Sequence, residues 1–575
     1  MKAFNSYRML ITPLSPVHVG TGESYEPTNY VIEDGVLHEF DTGATIAALS
    51  AVDREELLRI ANGKPNTEMI QALQRFFYER RGALMAYAIQ RIPVLPGVAS
   101  LYASRIGQTA NREADGKKVI NRLEIDRTSF NPITRLPVLY GSSLKGAIRT
   151  ALLDKVNSRA SAHEQKGLHE FQGRLFRYYD PQARPRLSLE LDPMRLVQLA
   201  DATWCGEPGL PTAQVYFAVN RKKAPVVDAQ GRLRKSQAES KDLYQILECV
   251  PGMRYRAFTG QINLQSVAGV SEKNRAGKRQ LPALGLRFDA KMIAQACNAF
   301  YRPILEAENR LLRERGYLDE AWAKSIEALL TSIQGKMARG EAFLLRVGRH
   351  SGAEAVTLNG VRHIKIMKGK NQKPESLDAA KTLWLAANEK DQTSKLLPFG
   401  WLLVELYPIQ DAAPDLPELK TACEPHLAAA RAIKDRLAAQ QERLERARAE
   451  ADAKRREEEE RSRLAAEAEA QRQREEAERQ ARLASLTPNL RRIEEFKAAF
   501  KARAEQLRGR LDRQNTDYHQ RAQKLAKDAL EGADWTAEEK RAAADAIAEW
   551  LPKVVERIDK EALKKLKLNA LRGNA

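Results

Sequence analysis

Hydrophobic residues cluster in short runs along the first part of the chain, and each run is bounded by turn residues. YRMLIT, residues 7–12, predicts a strand, and SPVHVGTGES after it predicts a glycine-bearing loop. In NYVIEDGVLHEF two apolar runs flank Asp34-Gly35, the pattern of a hairpin closed by a tight turn. Helical spacing follows at about 44–60 and 67–85, split by the breaker ANGKPN. A short strand near AYAIQRIPVL precedes a polar, basic segment from about 100 to 130. PVLY then leads through the turn GSSLKG into the helix AIRTALLDKVN.

A second round of strands and helices begins near residue 195. QVYFAVNRKK and GMRYRAFTGQINL predict strands, the latter with Met253, Tyr255, Ala257 and Thr259 alternating against Arg254, Arg256 and Phe258. Helical patterns cover about 289–315 and 320–338, and AFLLRVGRHSG, VRHIKIMKG and GWLLVELYP supply the closing strands. Two basic loops, RKKAPVVDAQGRLRK and SEKNRAGKRQ, interrupt this half. Strands and helices alternate, while the hairpin argues against a purely parallel sheet. The class expected is therefore α+β, with two ferredoxin-like sandwiches in tandem over 1–195 and 196–410.

Beyond Pro425 the texture changes. Over about 426–485 Ala, Glu, Arg and Gln dominate, and 441–480 has almost no Leu, Ile or Val, too few for the seam of a coiled coil. High helix propensity and Glu–Arg pairs one turn apart predict a lone, solvated helix, so 411–487 reads as linker and long charged helix. Apolar residues return at helical spacing in 488–575, which reads as a small helical tail module.

Charge sharpens the picture. Of a formal net charge of +19, residues 1–410 hold 58 basic and 42 acidic residues, and 101–300 alone hold 32 against 18. The excess belongs to the globular part, and a polyanion is its natural partner. The four cysteines, Cys205, Cys249, Cys297 and Cys423, lie far apart with no CxxC, which excludes a zinc ribbon or disulfide framework and fits a reducing cytoplasm. No apolar stretch is long enough to span a membrane, and the N-terminus carries no apolar signal segment.

Candidate chemistry is sparse. GSSLKGAIRT is not a nucleotide-hydrolysing loop, because Lys145 precedes Gly146 instead of following it. What it offers is a helix start with backbone donors, two hydroxyls (Ser142, Ser143), Lys145, and Arg149 one turn on. The same composition also suits a small-residue turn that only lets helix and strand pack closely. His18 in SPVHVGTG, beside Gly20 and Gly22, reads either as a general base on a ribose hydroxyl or as a residue fixing its loop. LLRVGRHSG places Arg346, Arg349 and His350 around Gly348, as a phosphate-binding loop or a solvated hairpin turn. Asp126 and Arg127 read as one exposed salt-bridged pair. No metal, cofactor or catalytic motif stands out.

These stretches have an order that resembles a known family. TPLSPVHVGTGES, GSSLKGAIRTALL, FLLRVGRHSG and LPFGWLLVEL follow one another as in the RAMP proteins of CRISPR systems, most closely those forming the fifth subunit of the type III-A Csm effector complex. The resemblance covers about 1–410, with Leu139-Tyr140 where the family usually has Ile-Pro. It implies two ferredoxin-like (RRM-like) domains and a non-catalytic subunit that caps the 3′ end of the crRNA. It further implies packing on the backbone RAMP subunit and support of guide maturation by host ribonucleases. The RNA would lie along Gly141, Ser142, Ser143, Lys145 and Gly146, with His18, Gly20 and Gly22 matching the family's His-x-Gly loop. Two alternatives remain at this point: a RAMP endoribonuclease with His18 as base, and a scaffold that recruits an accessory protein through the long helix.

Overall fold

The computed structural model describes residues 4–573 except 109–121, 159–167, 181, 183–185, 241–242, 367–372 and 508–509. The chain forms two compact units, residues 1–449 and 450–575. Two sheets carry the first unit. In one the order is Ala342–Arg346, Trp401–Pro408, Phe4–Pro13, Phe258–Gln265, Ala202–Trp204, Val138–Leu139, with Val197–Leu199 also paired to Phe258–Gln265. In the other it is Leu397–Pro398, Thr382–Ala387, Gln214–Lys222, Tyr244–Cys249, Ile125–Thr128, Gly20–Tyr25. Pairing is antiparallel throughout these sheets apart from the contact of Leu247 with Asp126.

This order crosses the expected division at residue 195. The first strand lies between two strands from beyond residue 257, with Ile11 opposite both Phe258 and Val404. Gly20–Tyr25 and Ile125–Thr128 likewise complete a sheet whose other strands all come from beyond residue 213. The fold is mixed α/β, and its two sheets interleave the halves of the sequence. A local pattern reports which residues form strands, but pairing between distant strands is decided by shared burial. Trp401–Pro408 shows the consequence: Trp401 to Leu406 are all buried, so the strand reads as an unbroken apolar run apart from Glu405.

Local predictions fared better. The hairpin Tyr30–Glu33/Val36–Glu39 turns through Asp34 and Gly35, both at positive φ (51° and 72°). Ala290–Glu314 is capped by the Asp289 carboxylate on the Met292 N–H (2.7 Å) and buries Ile293, Cys297, Phe300, Tyr301 and Leu312 along one stripe. Other stretches differ. Half of the expected glycine loop is the strand Gly20–Tyr25, and Pro96–Arg105 in the expected polar segment is a helix. The alternation predicted from Met253 begins only at Phe258, because Met253 and Arg256 take positive φ (55° and 43°). Their neighbourhood is set by tertiary bonds: Arg256 donates to both carboxylate oxygens of Glu405 (2.9 and 2.8 Å), and Arg254 donates to the His426 carbonyl (2.9 Å). The two basic loops fold back on themselves through Val227↔Leu233 and Lys273↔Arg279.

The long helix, Pro417–Ala484, is not solvated throughout. Within residues 1–449 its first turns bury Leu419, Cys423, Leu427 and Ala430 in the main core, and Arg431 holds Glu207 at 2.8 Å. The lone, solvated character expected from residue 426 belongs to the part after about 450, where side chains up to Arg482 are nearly all exposed. Residues 488–573 hold three principal helices, Pro488–Leu507, Asp517–Glu531 and Ala537–Val554, around Ile493, Phe500, Trp535 and Ile547.

Candidate nucleic-acid interface

Two stretches 330 residues apart in sequence meet at one point. After the strand Ala342–Arg346 the chain turns at Gly348, whose φ is 84°, and the Arg349 N–H donates to the His18 carbonyl at 2.8 Å. A Cβ on Gly348 would stand 2.3 Å from that carbonyl oxygen, so both the backbone conformation and the close approach require glycine. Arg349 then reaches Asp126 at 2.5 Å with a partly exposed side chain. His350, at φ 64°, stacks on Trp384 with ring centroids 4.7 Å apart, and its Nε2 is 2.9 Å from Gln245 Oε1. Burial pushes its pKa down to about 3, so the ring is neutral.

His18 lies fully buried at this junction. Its Nδ1 is 2.7 Å from the Glu248 carbonyl, an oxygen that only accepts, so Nδ1 carries the proton. Burial holds its pKa below the usual histidine value, and Nε2 has no partner among the described residues. A Cβ on Gly20 would lie 3.2 Å from that nitrogen, whereas one on Gly22, at φ 86°, would meet nothing within 4 Å. His18, Gly20, Gly348, Arg349 and His350 are therefore brought together, with Gly20 and Gly22 on the surface.

Short bonds lead from this junction to the helix start. The Ser129 N–H donates to the Val19 carbonyl (2.7 Å), and the Val138 N–H donates to the Ser129 carbonyl (3.0 Å), just before the helix Gly141–Asn157 begins. GSSLKG is thus the first two turns of the helix and not a loop ahead of it. Gly141 packs on the backbone of Leu199 and Ala200, where a Cβ would come within 2.8 Å. Its N–H is already taken by Asp201 Oδ1 at 2.7 Å, so the expected row of free donors is partly occupied by a carboxylate. Ser142 and Gly146 are exposed, and Ser143 and Lys145 are half-buried. Burial lowers the Lys145 pKa, with Asp192 opposing.

Two predicted cations are internal struts. Arg149 donates to Asp192 (2.8 and 3.1 Å), Tyr178 and Gln172, so the free cation expected one turn after Lys145 is a paired, half-buried group. Arg346 is buried, donates to Glu308 (2.9 Å) and the Phe399 carbonyl, and stacks on Trp401. Asp126 and Arg127 do not pair with each other. Arg127 is buried against Glu39 (2.9 Å) between Tyr25 and Phe130.

A cavity of about 710 Å³ opens beside the junction, lined among others by Glu26, Glu124, Asp126, Tyr244, Ile246 and Arg349. Apart from Asp126 and Arg349 its residues carry no signal in the sequence, because strands far apart along the chain deliver them. Among the described residues no group of three or more acidic, histidine or cysteine side chains has metal-binding geometry, and no helix is long and apolar enough to cross a membrane.

A family model described as the RAMP superfamily matches residues 10–347. A chain of the cryo-EM structure of a Csm–crRNA–target RNA ternary complex, from a type III-A CRISPR–Cas system, is similar at TM-score 0.40 and 17% identity over 70% of this chain and 100% of that one. The crystal structure of Csm5 from T. onnurineus gives 0.39 and 16% over 69% and 99%. No curated protein matches the sequence.

Proposed function

The chain belongs to the RAMP superfamily, and from that premise we propose that it is an RNA-binding subunit of a type III CRISPR effector, capping the 3′ region of the crRNA. The observation that carries this reading is the junction of the His18 and Gly348 loops. It presents glycine backbone and one partly exposed guanidinium on the surface of a strongly basic unit, with few side chains to obstruct a sugar–phosphate strand. The exposed Ser142 and Gly146, with Lys145 between them, extend that character at the helix start. Gly141 and Ser143 complete the backbone there, while Arg149 and Arg346 support it from within. In this reading the two interleaved sheets are the superfamily's ferredoxin-like pair.

The role is non-catalytic. A general base must reach the proton it removes, and His18, its unprotonated Nε2 included, is fully buried. The backbone RAMP subunit and host ribonucleases are the partners this reading implies, in the cytoplasm. Binding of a crRNA-length oligonucleotide is the test, measured across a salt series. Affinity is expected to fall steeply with salt and to depend weakly on sequence, with no RNA cleaved by the parent or by His18→Ala. A flat salt response, or a cleavage product lost in His18→Ala, overturns the proposal.

A further inference from the structure

The rim of the cavity beside the junction carries three carboxylates, Glu26, Glu124 and Asp126, together with two guanidiniums, Arg122 and Arg349. Glu26 follows the strand Gly20–Tyr25, and Glu124 precedes Ile125–Thr128. The two carboxylates are close enough that burial and then Glu124 raise the Glu26 pKa. Glu124 accepts from Ser24 Oγ at 2.7 Å, and Asp126 is spent on Arg349, while the Glu26 carboxylate has no hydrogen-bond or ion-pair partner among the described residues. Behind these charges the lining mixes apolar Ile70, Tyr244 and Ile246 with polar Gln74 and Gln245. The volume, about 710 Å³, is in the range that accepts a nucleoside-sized ligand.

At this rim the Glu26 carboxylate is the acid left without a partner among the described residues, and it repels phosphate and accepts from neutral hydrogen-bond donors. Arg349 lines the cavity and also forms the junction, so a strand lying on the junction has its next residue at this mouth. An internal nucleotide would bring a phosphodiester on both sides, whereas a terminal nucleoside brings only one and ends in two vicinal hydroxyls. We infer that this cavity receives the 3′-terminal nucleoside of the bound RNA, with the Glu26 carboxylate accepting from its 2′,3′-diol. The inference rests on the proposed RNA-binding function and adds to it a means of sensing the chemical state of the end.

The experiment compares RNAs of one sequence ending in a 2′,3′-diol, a 3′-phosphate or a 2′,3′-dideoxynucleoside, bound to the full chain and to Glu26→Gln and Glu26→Ala. Glu26 is exposed, so folding is expected to survive both changes. The diol end is expected to bind the parent at least about tenfold more tightly than the dideoxy end, from the charge-assisted hydrogen bonds it gains, and the 3′-phosphate more weakly still. Both variants are expected to bind the diol and dideoxy ends equally while keeping the salt dependence of the parent. If the parent binds RNA salt-dependently but is blind to the end, the inference falls, the proposed function stands, and the rim is left to a basic side chain of a neighbouring subunit. If no RNA binds, both fall together.

Discussion

Lys145 and Arg149 stand one helical turn apart, and in the sequence they look alike. Arg149 is held by Asp192 and Tyr178 with about a fifth of its side chain exposed (22%), while no side-chain partner is seen for Lys145 among the described residues. Arg149→Ala leaves a half-buried carboxylate without its cation, and is expected to lower stability by about 1–3 kcal/mol. Lys145→Ala is expected to leave thermal unfolding nearly unchanged and to weaken RNA binding severalfold. Unfolding and RNA titration on the same two preparations check this. Gly348 gives a sharper case, because positive φ and a 2.3 Å approach to the His18 carbonyl act together. Gly348→Ala is expected to cost about 3 kcal/mol, read in denaturant melts, and to release the Arg349 N–H from His18.

At the scale of elements, the long helix divides by what it buries. Its first turns place Leu419, Leu427 and Ala430 in the main core, and each leucine lost from there is worth about 1.5–3 kcal/mol. A chain ending at residue 449 is therefore expected to melt like the first unit of the full protein, while one ending at residue 416 melts earlier or aggregates. The exposed turns after residue 450 rest on local propensity and Glu–Arg pairs such as Arg463–Glu467. Calorimetry of the two truncations decides between this division and a helix that is dispensable from its start.

For the whole molecule, buried titratable groups set a pH dependence. Burial holds His38 and His350 down at about 3 and His18 below its ordinary 6.5. The unfolded chain binds more protons at these sites, so the stability they confer is full above about pH 6.5 and is lost as pH falls toward their folded values. Glu248 has the opposite sign. Burial raises it from 4.5 to about 7, so its contribution is full below about pH 4.5 and is lost as pH rises through about 7. Three histidines outweigh one carboxyl, and denaturant midpoints are expected to fall as pH drops below about 6.5. Glu248→Gln, which imitates the protonated acid, is expected to match the parent near pH 4.5 and to exceed it above about pH 7.

Much of this protein was present in its sequence in local form. The Asp34-Gly35 hairpin, the capped helix Ala290–Glu314 and the apolar return after residue 488 follow from turn chemistry and spacing that neighbours in sequence determine. The stretches around His18, Gly141 and Gly348 were visible as glycine-bearing motifs, and the positive field was visible as charge. Tertiary structure alone decided that the first strand sits between strands ending at Gln265 and Pro408, so that both sheets draw strands from either side of residue 195. It also decided that Arg346 and Arg149 face carboxylates inward while Arg349 stays partly exposed, and that Glu26 and Tyr244 share one cavity. The reason is that burial and charge pairing are settled between residues hundreds of positions apart, where no periodicity in the chain records them.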